Sequence, residues 1–191
     1  MPSPAPSSAG YAPTPLGRVL VAIADEHLVG LYFDGHERTP ALDGVPHVET
    51  AALALVRRQL AEYFAGSRDT FELPIRPEGT SFQRDVWTAL VAIPPGTTAT
   101  YSEIAERIGR PRASRAVGAA NGGNPISIVI PCHRLVGAGG GLTGYGWGLQ
   151  RKEWLIAHER TMAEARAASG SGSDPRGRDR DGVAEARRRR T

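Results

Sequence analysis

The chain has 191 residues, 40% of them hydrophobic, which is enough for one or two compact domains with a buried core. No apolar run reaches the length of a membrane span, and the opening Met1-Pro2-Ser3-Pro4-Ala5-Pro6-Ser7-Ser8 has neither the basic nor the apolar region of a signal peptide. The formal charge of +3 is uneven: residues 160–191 hold nine Arg against five acids, so the remainder is near neutral at −1, yet Arg107, Arg110, Arg112, Arg115 and Arg134 share one stretch with no acid. No membrane partner is expected, and a basic stretch in a near-neutral body points to an anionic partner at one place on the surface. With one cysteine and no export signal, a reducing, cytoplasmic setting is expected.

Residues 1–15, rich in Pro, Ser and Ala, read as disordered. Leu16–Ala24 and Leu28–Phe33 read as strands joined by a turn at Asp25-Glu26. Ala51–Phe64 is a predicted helix, with Leu53, Val56, Leu60, Tyr63 and Phe64 on one face and Gly66 as its stop. Phe71–Ile75 reads as a short edge strand because of Pro74. The first part, residues 16–77, is thus a small α/β domain. His27, His36 and His47 lie in or beside turns and read as surface residues. With no cysteine near them, no metal is expected.

Near Thr80 the pattern becomes helical, opening a second domain over residues 78–160. Thr80-x-x-Gln83 is a capping box for a helix through Ala92, before Pro94-Pro95-Gly96. Thr100-x-x-Glu103 is another, opening Tyr101–Ile108. Gly109 closes that helix and Pro111 precedes a further one over Arg112–Asn121, the spacing of a helix-turn-helix. On a wheel of that last helix Ala113, Ala116, Val117 and Ala120 face inward. Ser114, Arg115 and Gly118 face outward, flanked by Arg112 and Ala119. A surface so poor in bulk can approach a nucleic-acid backbone closely, with Arg115 projecting alone. The same residues also fit an Ala-rich packing helix with one solvated Arg. Ile126–Ile130 reads as a buried strand or extended segment, residues 137–148 as a Gly-rich loop, and Lys152–Glu159 as a final helix. Residues 161–191 form a basic tail expected to be disordered and inert. The overall class is α+β: an antiparallel sheet with a helix, then a mainly helical domain.

Cys132 stands in Ile130-Pro131-Cys132-His133-Arg134. A thiol beside an imidazole and a guanidinium is a candidate thiolate nucleophile. Adjacent side chains in an extended segment point apart, so His133 would act on Cys132 through a water or after a turn. A carboxylate is then needed to hold the ring. Both Glu159 and Glu153 are near enough in sequence, and spacing alone does not choose between them.

From about Ser81 to Glu159 the chain resembles the O6-alkylguanine-DNA alkyltransferases, bacterial type without an N-terminal zinc site. The matching segments occur in order: Phe82-Gln83-Arg84-Asp85-Val86-Trp87, Thr100-Tyr101-Ser102-Glu103-Ile104-Ala105, Ser114-Arg115-Ala116-Val117-Gly118, Asn121-Gly122-Gly123-Asn124-Pro125-Ile126, Ile130-Pro131-Cys132-His133-Arg134, Gly144-Tyr145, and Arg151-Lys152-Glu153-Trp154-Leu155 through His158-Glu159. The resemblance implies a DNA repair protein that binds duplex DNA through the minor groove and flips out an O6-alkylguanine. The alkyl group then passes irreversibly to Cys132 in a single turnover, without a cofactor. O4-alkylthymine as a second substrate and cooperative binding by a monomer on DNA are left open.

By the same resemblance, His133 and Glu159 match the water-bridged base and its orienting acid. Tyr101 matches a tyrosine that turns the 3′ phosphate and protonates the leaving guanine. Asn124 matches the link between the helix-turn-helix and the nucleophile. Arg115 matches the intercalating arginine, with Ser114, Gly118, Ala119 and Arg112 on the DNA-facing helix. Leu135, Tyr145, Gly146 and Trp147 are expected around the base, with Trp147 as a wall. Two other readings compete: a non-catalytic lesion binder, which would lack the cysteine, and a cysteine hydrolase, which would need an oxyanion hole that nothing in the sequence marks.

Overall fold

The computed structural model describes residues 5–36 and 39–170. The basic run Arg187–Arg190 lies outside them. The fold is α+β, as expected, with one correction at its start. Residues 8–12 are not a disordered leader but strand β1 (Ser8–Ala12), antiparallel to β2 (Val19–Ala24), with Ser8 opposite Ile23 and Ala12 opposite Val19. Small residues are structural there: a Cβ on Gly10 would sit 2.5 Å from Leu53 Cδ2 on the covering helix.

β2 is buried along its whole length, which explains its unbroken apolar run where a one-sided strand would alternate. A two-residue turn joins it to β3 (His27–Phe33). Asp25 and Glu26 both take positive φ, 46° and 62°, the geometry that matches the twist of a tight hairpin. Helix α1 (Ala51–Phe64) starts at Thr50, whose Oγ1 accepts from Leu53 N at 3.1 Å, and lays Leu53, Val56, Leu60 and Tyr63 on the core.

The outer edge of β3 is covered rather than exposed. Leu28 bridges Ile75 and Leu31 bridges Ile126. Of the strand expected over 71–75, only the bridge at Ile75 forms. Leu31 N donates to Pro125 O at 2.9 Å and Ser127 N to Leu31 O at 3.0 Å, so the edge that a free strand would offer to other chains ties the two halves together.

The second half opens with α2 (Ser81–Val91) and α3 (Tyr101–Arg107), each with both bonds of its capping box in place. Between them runs β4 (Ala99–Thr100), parallel to β5 (Leu135–Val136). Helix α4 (Ser114–Gly122) begins two residues later than expected, with Pro111 and Arg112 in a turn. Its buried residues are Val117, Ala120 and Asn121, whereas Ala116 is exposed and Ala113 only half-buried. Trp87 decides this, because its Nε1–H donates to Ala120 O at 2.9 Å and draws that side of α4 inward.

Residues 126–130 are not a strand. They are a buried, turned segment in which Ile130 N donates to Ile126 O at 3.0 Å and Ile128 takes φ 71°. A β-branched residue in the left-handed region is strained, by about 1–3 kcal/mol, and persists only where the surroundings hold it. The last helix, α5 (Leu149–Gly170), runs eleven residues beyond Glu159, so 161–170 belong to it rather than to a disordered tail. No helix among the described residues is long and apolar enough to cross a membrane.

Candidate active site

Cys132 opens a single 3-10 turn, Cys132–Arg134, that delivers three buried side chains to three places. Pro131 ends the preceding turn and Leu135 leaves as β5, so the nucleophile is held between two fixed segments. Cys132 lies at a cavity of about 250 Å³ whose other walls are Tyr101 (α3), Gly118, Asn121 and Gly122 (α4), Asn124, and Gly144 to Trp147 of the loop. That is a little under the ~300–1,000 Å³ of drug-sized ligand sites and suits one flat ring.

Asn124 is held by the backbone on both sides of its amide. Its Nδ2 donates to Ile130 O at 2.9 Å and its Oδ1 accepts from Ile126 N at 2.9 Å, so it staples the strained segment at both ends. That places it between α4 and Cys132. Burial pushes the Cys132 thiol up. The Asn124 amide, the local backbone, Lys152 and the Tyr145 hydroxyl favour the thiolate but do not overcome it. The resting group is therefore a thiol that must lose its proton to react.

His133 stands behind it. His133 is fully buried, and its Nε2 meets Glu159 Oε1 at 2.9 Å. Burial lowers the His133 pKa more than Glu159 raises it, so the ring is neutral at pH 7 and its one N–H points at the carboxylate. Nδ1 is left as the acceptor, buried and with no hydrogen-bond partner among the described residues. His133 makes no bond to Cys132 itself, in keeping with an indirect role.

Glu159 is the acid the geometry selects, since Glu153 is exposed. Burial disfavours its charge, but bonds and charge from His133 and Arg134 hold its carboxyl far below the usual range. Arg134 donates Nε to Oε2 and Nη2 to Oε1, both at 2.9 Å, a bidentate pair. Gly96 N reaches Oε2 at 3.2 Å. Gly96 has φ +75°, and a Cβ there would stand 3.0 Å from Ala163 Cβ and 3.1 Å from Glu159 O, so only glycine fits.

Lys152 was not anticipated as a site residue. Its buried ammonium has no carboxylate, and Nζ donates to Leu135 O and, at 2.7 Å, to Thr143 O, lacing the Gly-rich loop to β5. Burial lowers its pKa to about 8, against a raising influence from Cys132. Its charge therefore both steadies the loop and favours a thiolate. A helical wheel would have flagged it: Lys152, Leu155, Ile156, Glu159 and Met162 form the i, i+3, i+4, i+7, i+10 buried stripe of α5.

The loop residues sort differently from expectation. Tyr145, Gly146 and Trp147 line the cavity, but Leu135 does not, and its carbonyl is taken by Lys152. Trp147 is anchored from behind, with ring centroids 5.9 Å from Phe33, 6.2 Å from Tyr32 and 5.2 Å from His36. It is a fixed wall held by the N-terminal sheet. Tyr101 is half-buried at the opposite wall, its hydroxyl 3.4 Å from Thr143 O. At the rim, Arg115 is exposed on the same α4 face as Gly118 and Gly122, at i, i+3 and i+7, one turn outward from the cavity wall. Arg112 and Ala119 are exposed beside it, and Ser114 is half-buried.

Two family models match the chain in succession. The 6-O-methylguanine DNA methyltransferase DNA-binding domain matches residues 81–161, and the ribonuclease-like domain of the same family matches residues 9–77. The chain belongs to the 6-O-methylguanine DNA methyltransferase family. The match from residue 9 onward includes most of β1. Among its relatives, a methylated-DNA–protein-cysteine methyltransferase of Mycolicibacterium paratuberculosis is 47% identical over 152 residues, 80% of this chain and 92% of that one. One of Methanosarcina acetivorans is 48% identical over 148 residues, 76% and 94% of the two chains. The crystal structure of the Mycobacterium tuberculosis O6-methylguanine methyltransferase superposes with TM-score 0.75 at 39% identity, covering 86% of this chain and 99% of that chain. A structure of the M. tuberculosis OGT in complex with DNA gives TM-score 0.75 at 39% identity, covering 81% and 94%.

Proposed function

We infer that this chain repairs DNA by taking an alkyl group from O6-alkylguanine onto its own Cys132, once per molecule. The observation that carries this is the pairing of a buried thiol at the floor of a one-ring cavity with a neutral His133 locked by Glu159 behind it. Duplex DNA is the partner, met by the smooth outer face of α4 in the minor groove. O6 of a stacked guanine cannot present its alkyl carbon in line with a sulfur, so the nucleotide must be flipped into the cavity. Arg115, exposed above the cavity wall, fills the space left in the stack.

The proton of Cys132 passes through a water to His133 Nδ1, the ring nitrogen that no protein group occupies. The thiolate attacks the alkyl carbon, an S–C bond forms, and the C–O6 bond breaks with its electron pair going to the guanine. Tyr101, whose hydroxyl is held only by a long contact to Thr143 O, supplies the proton that the leaving guanine takes up. The product is a thioether, which the site has no means to cleave.

Incubation with a duplex carrying O6-methylguanine should add one methyl group to the Cys132 peptide, with repaired lesions never exceeding protein molecules. An unmodified protein holding the lesion would mark a binder, and repair beyond one lesion per chain would mark a turnover enzyme. Arg115→Ala should slow repair of the duplex lesion by roughly 10-fold or more, while reaction with the free alkylguanine base stays within about 2-fold. Equal losses on both substrates would remove Arg115 from the flipping step.

A further inference from the structure

The catalytic carboxylate receives a hydrogen bond from the other half of the protein. Tyr63, in the last turn of α1, is fully buried and donates its hydroxyl to Glu159 Oε1 at 2.9 Å. The same oxygen accepts from His133 and from Arg134 Nη2. We propose that Tyr63 is a positioning residue for alkyl transfer: its hydroxyl fixes Glu159 and tempers its basicity, and so sets how readily His133 takes the Cys132 proton. The proposal rests on the function inferred above.

The placement of Tyr63 is over-determined. Its carbonyl accepts from His158 Nε2 at 2.8 Å, one residue before Glu159 on α5. Its ring packs against Phe64, Phe71 and His158 at centroid distances of 5.2, 5.3 and 5.3 Å, and His158 in turn stacks on Trp154 at 4.8 Å. This junction registers α1 against α5 within a fraction of a helical turn. Burial and the Glu159 charge hold the phenol well above its ordinary pKa, so it stays a donor wherever the protein is folded.

Every charged or titratable group facing the pair acts in a known direction. Arg134, from the 3-10 turn, and Lys152, from α5, disfavour a charged His133, and Glu159 favours it. Gly96 N adds a neutral donor to the far oxygen. Tyr63 is the one side chain from the N-terminal half in this set, and it draws electron density from the oxygen that His133 touches. Without it, that oxygen holds the imidazolium more strongly and His133 stays protonated to higher pH. The sheet-and-helix half is thereby a contributor to the reaction and not only a support.

The test is the single-turnover rate of Tyr63→Phe on a duplex bearing O6-methylguanine, followed across the histidine range, roughly pH 5 to 8. The expected result is an acid limb moved upward by about half a unit and a rate lowered roughly 2- to 3-fold on that limb, converging toward wild type at higher pH. Phe64→Leu, in the same aromatic junction but without a bond to Glu159, should lower thermal stability and leave the limb in place. 3-Fluorotyrosine placed at position 63, a stronger donor of the same shape, should move the limb downward, and this arm stands even if the phenylalanine variant does not fold. A Tyr63→Phe protein with an unmoved limb, or a fluorotyrosine form whose limb does not move downward, overturns the proposal. Wild-type protein that accepts no methyl group would instead overturn the function on which it rests.

Discussion

Replacing Cys132 by serine is expected to abolish transfer, with a loss of at least about 10³-fold in the single-turnover rate. The reason is the weakness of the base. His133 is neutral and its pKa lies below the ordinary value, so it suits a thiol within a few units of neutrality and not a hydroxyl many units higher. Burial already pushes the Cys132 thiol upward, and Asn124, Lys152 and Tyr145 only partly offset this. A serine alkoxide would carry the same burial from a far less acidic start. The fold should survive, because the replacement is small and the same donors surround it, at a cost of about 1–2 kcal/mol. Intact mass and lesion counting on the same duplex give the readout. The serine form should bind the lesion, gain no mass and leave the methyl group in place. A serine form that gained a methyl group at the wild-type rate would show that Cys132 is not the acceptor.

Much of this arrangement is legible in the sequence, and the parts that are not share a cause. Local chemistry reads directly: the Thr80–Gln83 and Thr100–Glu103 boxes mark the starts of α2 and α3, and Gly66 marks the end of α1. The Pro-Cys-His-Arg run and its ordered neighbours carry the family. What fails is any inference from composition where distant packing decides. The Ala-Gly-Tyr-Ala stretch of β1 looks like a disordered leader because small residues seldom mark strands, yet small residues are what let α1 lie against the sheet. Residues 126–130 look like a strand because they are β-branched, but Asn124 clamps both ends and forces a turn. On α4, alanines on both sides make the wheel ambiguous until Trp87 takes Ala120.

The site divides along the same line. Cys132 and His133 are adjacent in the chain and visible there. Glu159 is distinguished from Glu153 only by the buried stripe of α5, a signal the sequence contains but that needs the helix extended through Met162 to be seen. Arg134 as the partner of Glu159 joins positions 25 apart, and Tyr63 as a donor to it joins positions 96 apart. No periodicity within one element reports such pairs. The N-terminal half, which showed no chemistry in its sequence, supplies the wall behind Trp147 and a bond to Glu159.

The second large effect belongs to Glu159→Gln. The change keeps the shape but leaves the Arg134 guanidinium buried without its anion, and removing one member of a buried pair costs about 3–5 kcal/mol. For a folded unit of this size that is a fall of roughly 10 °C in Tm. The transfer rate should fall by about two orders of magnitude or more, since the amide no longer stabilises imidazolium as His133 takes the proton. The acid dependence supplies a sharper signature. Glu159 is held far below its unfolded value, so its contribution is complete above about pH 4.3 and is lost as pH falls toward its folded value. His133 is lowered from about 6.5, so the unfolded chain binds its proton first and stability also declines as pH falls below that point. The two windows are distinct. Wild type should lose stability in two stages, below about pH 6.5 and again below about pH 4.3, while Glu159→Gln should keep the first and show a much shallower second. Thermal melts across that range read the difference directly. A variant whose stability still fell in parallel with wild type below pH 4.3 would mean that Glu159 is not the ionised partner of Arg134, and the charge holding the 3-10 turn in place would have to come from another group.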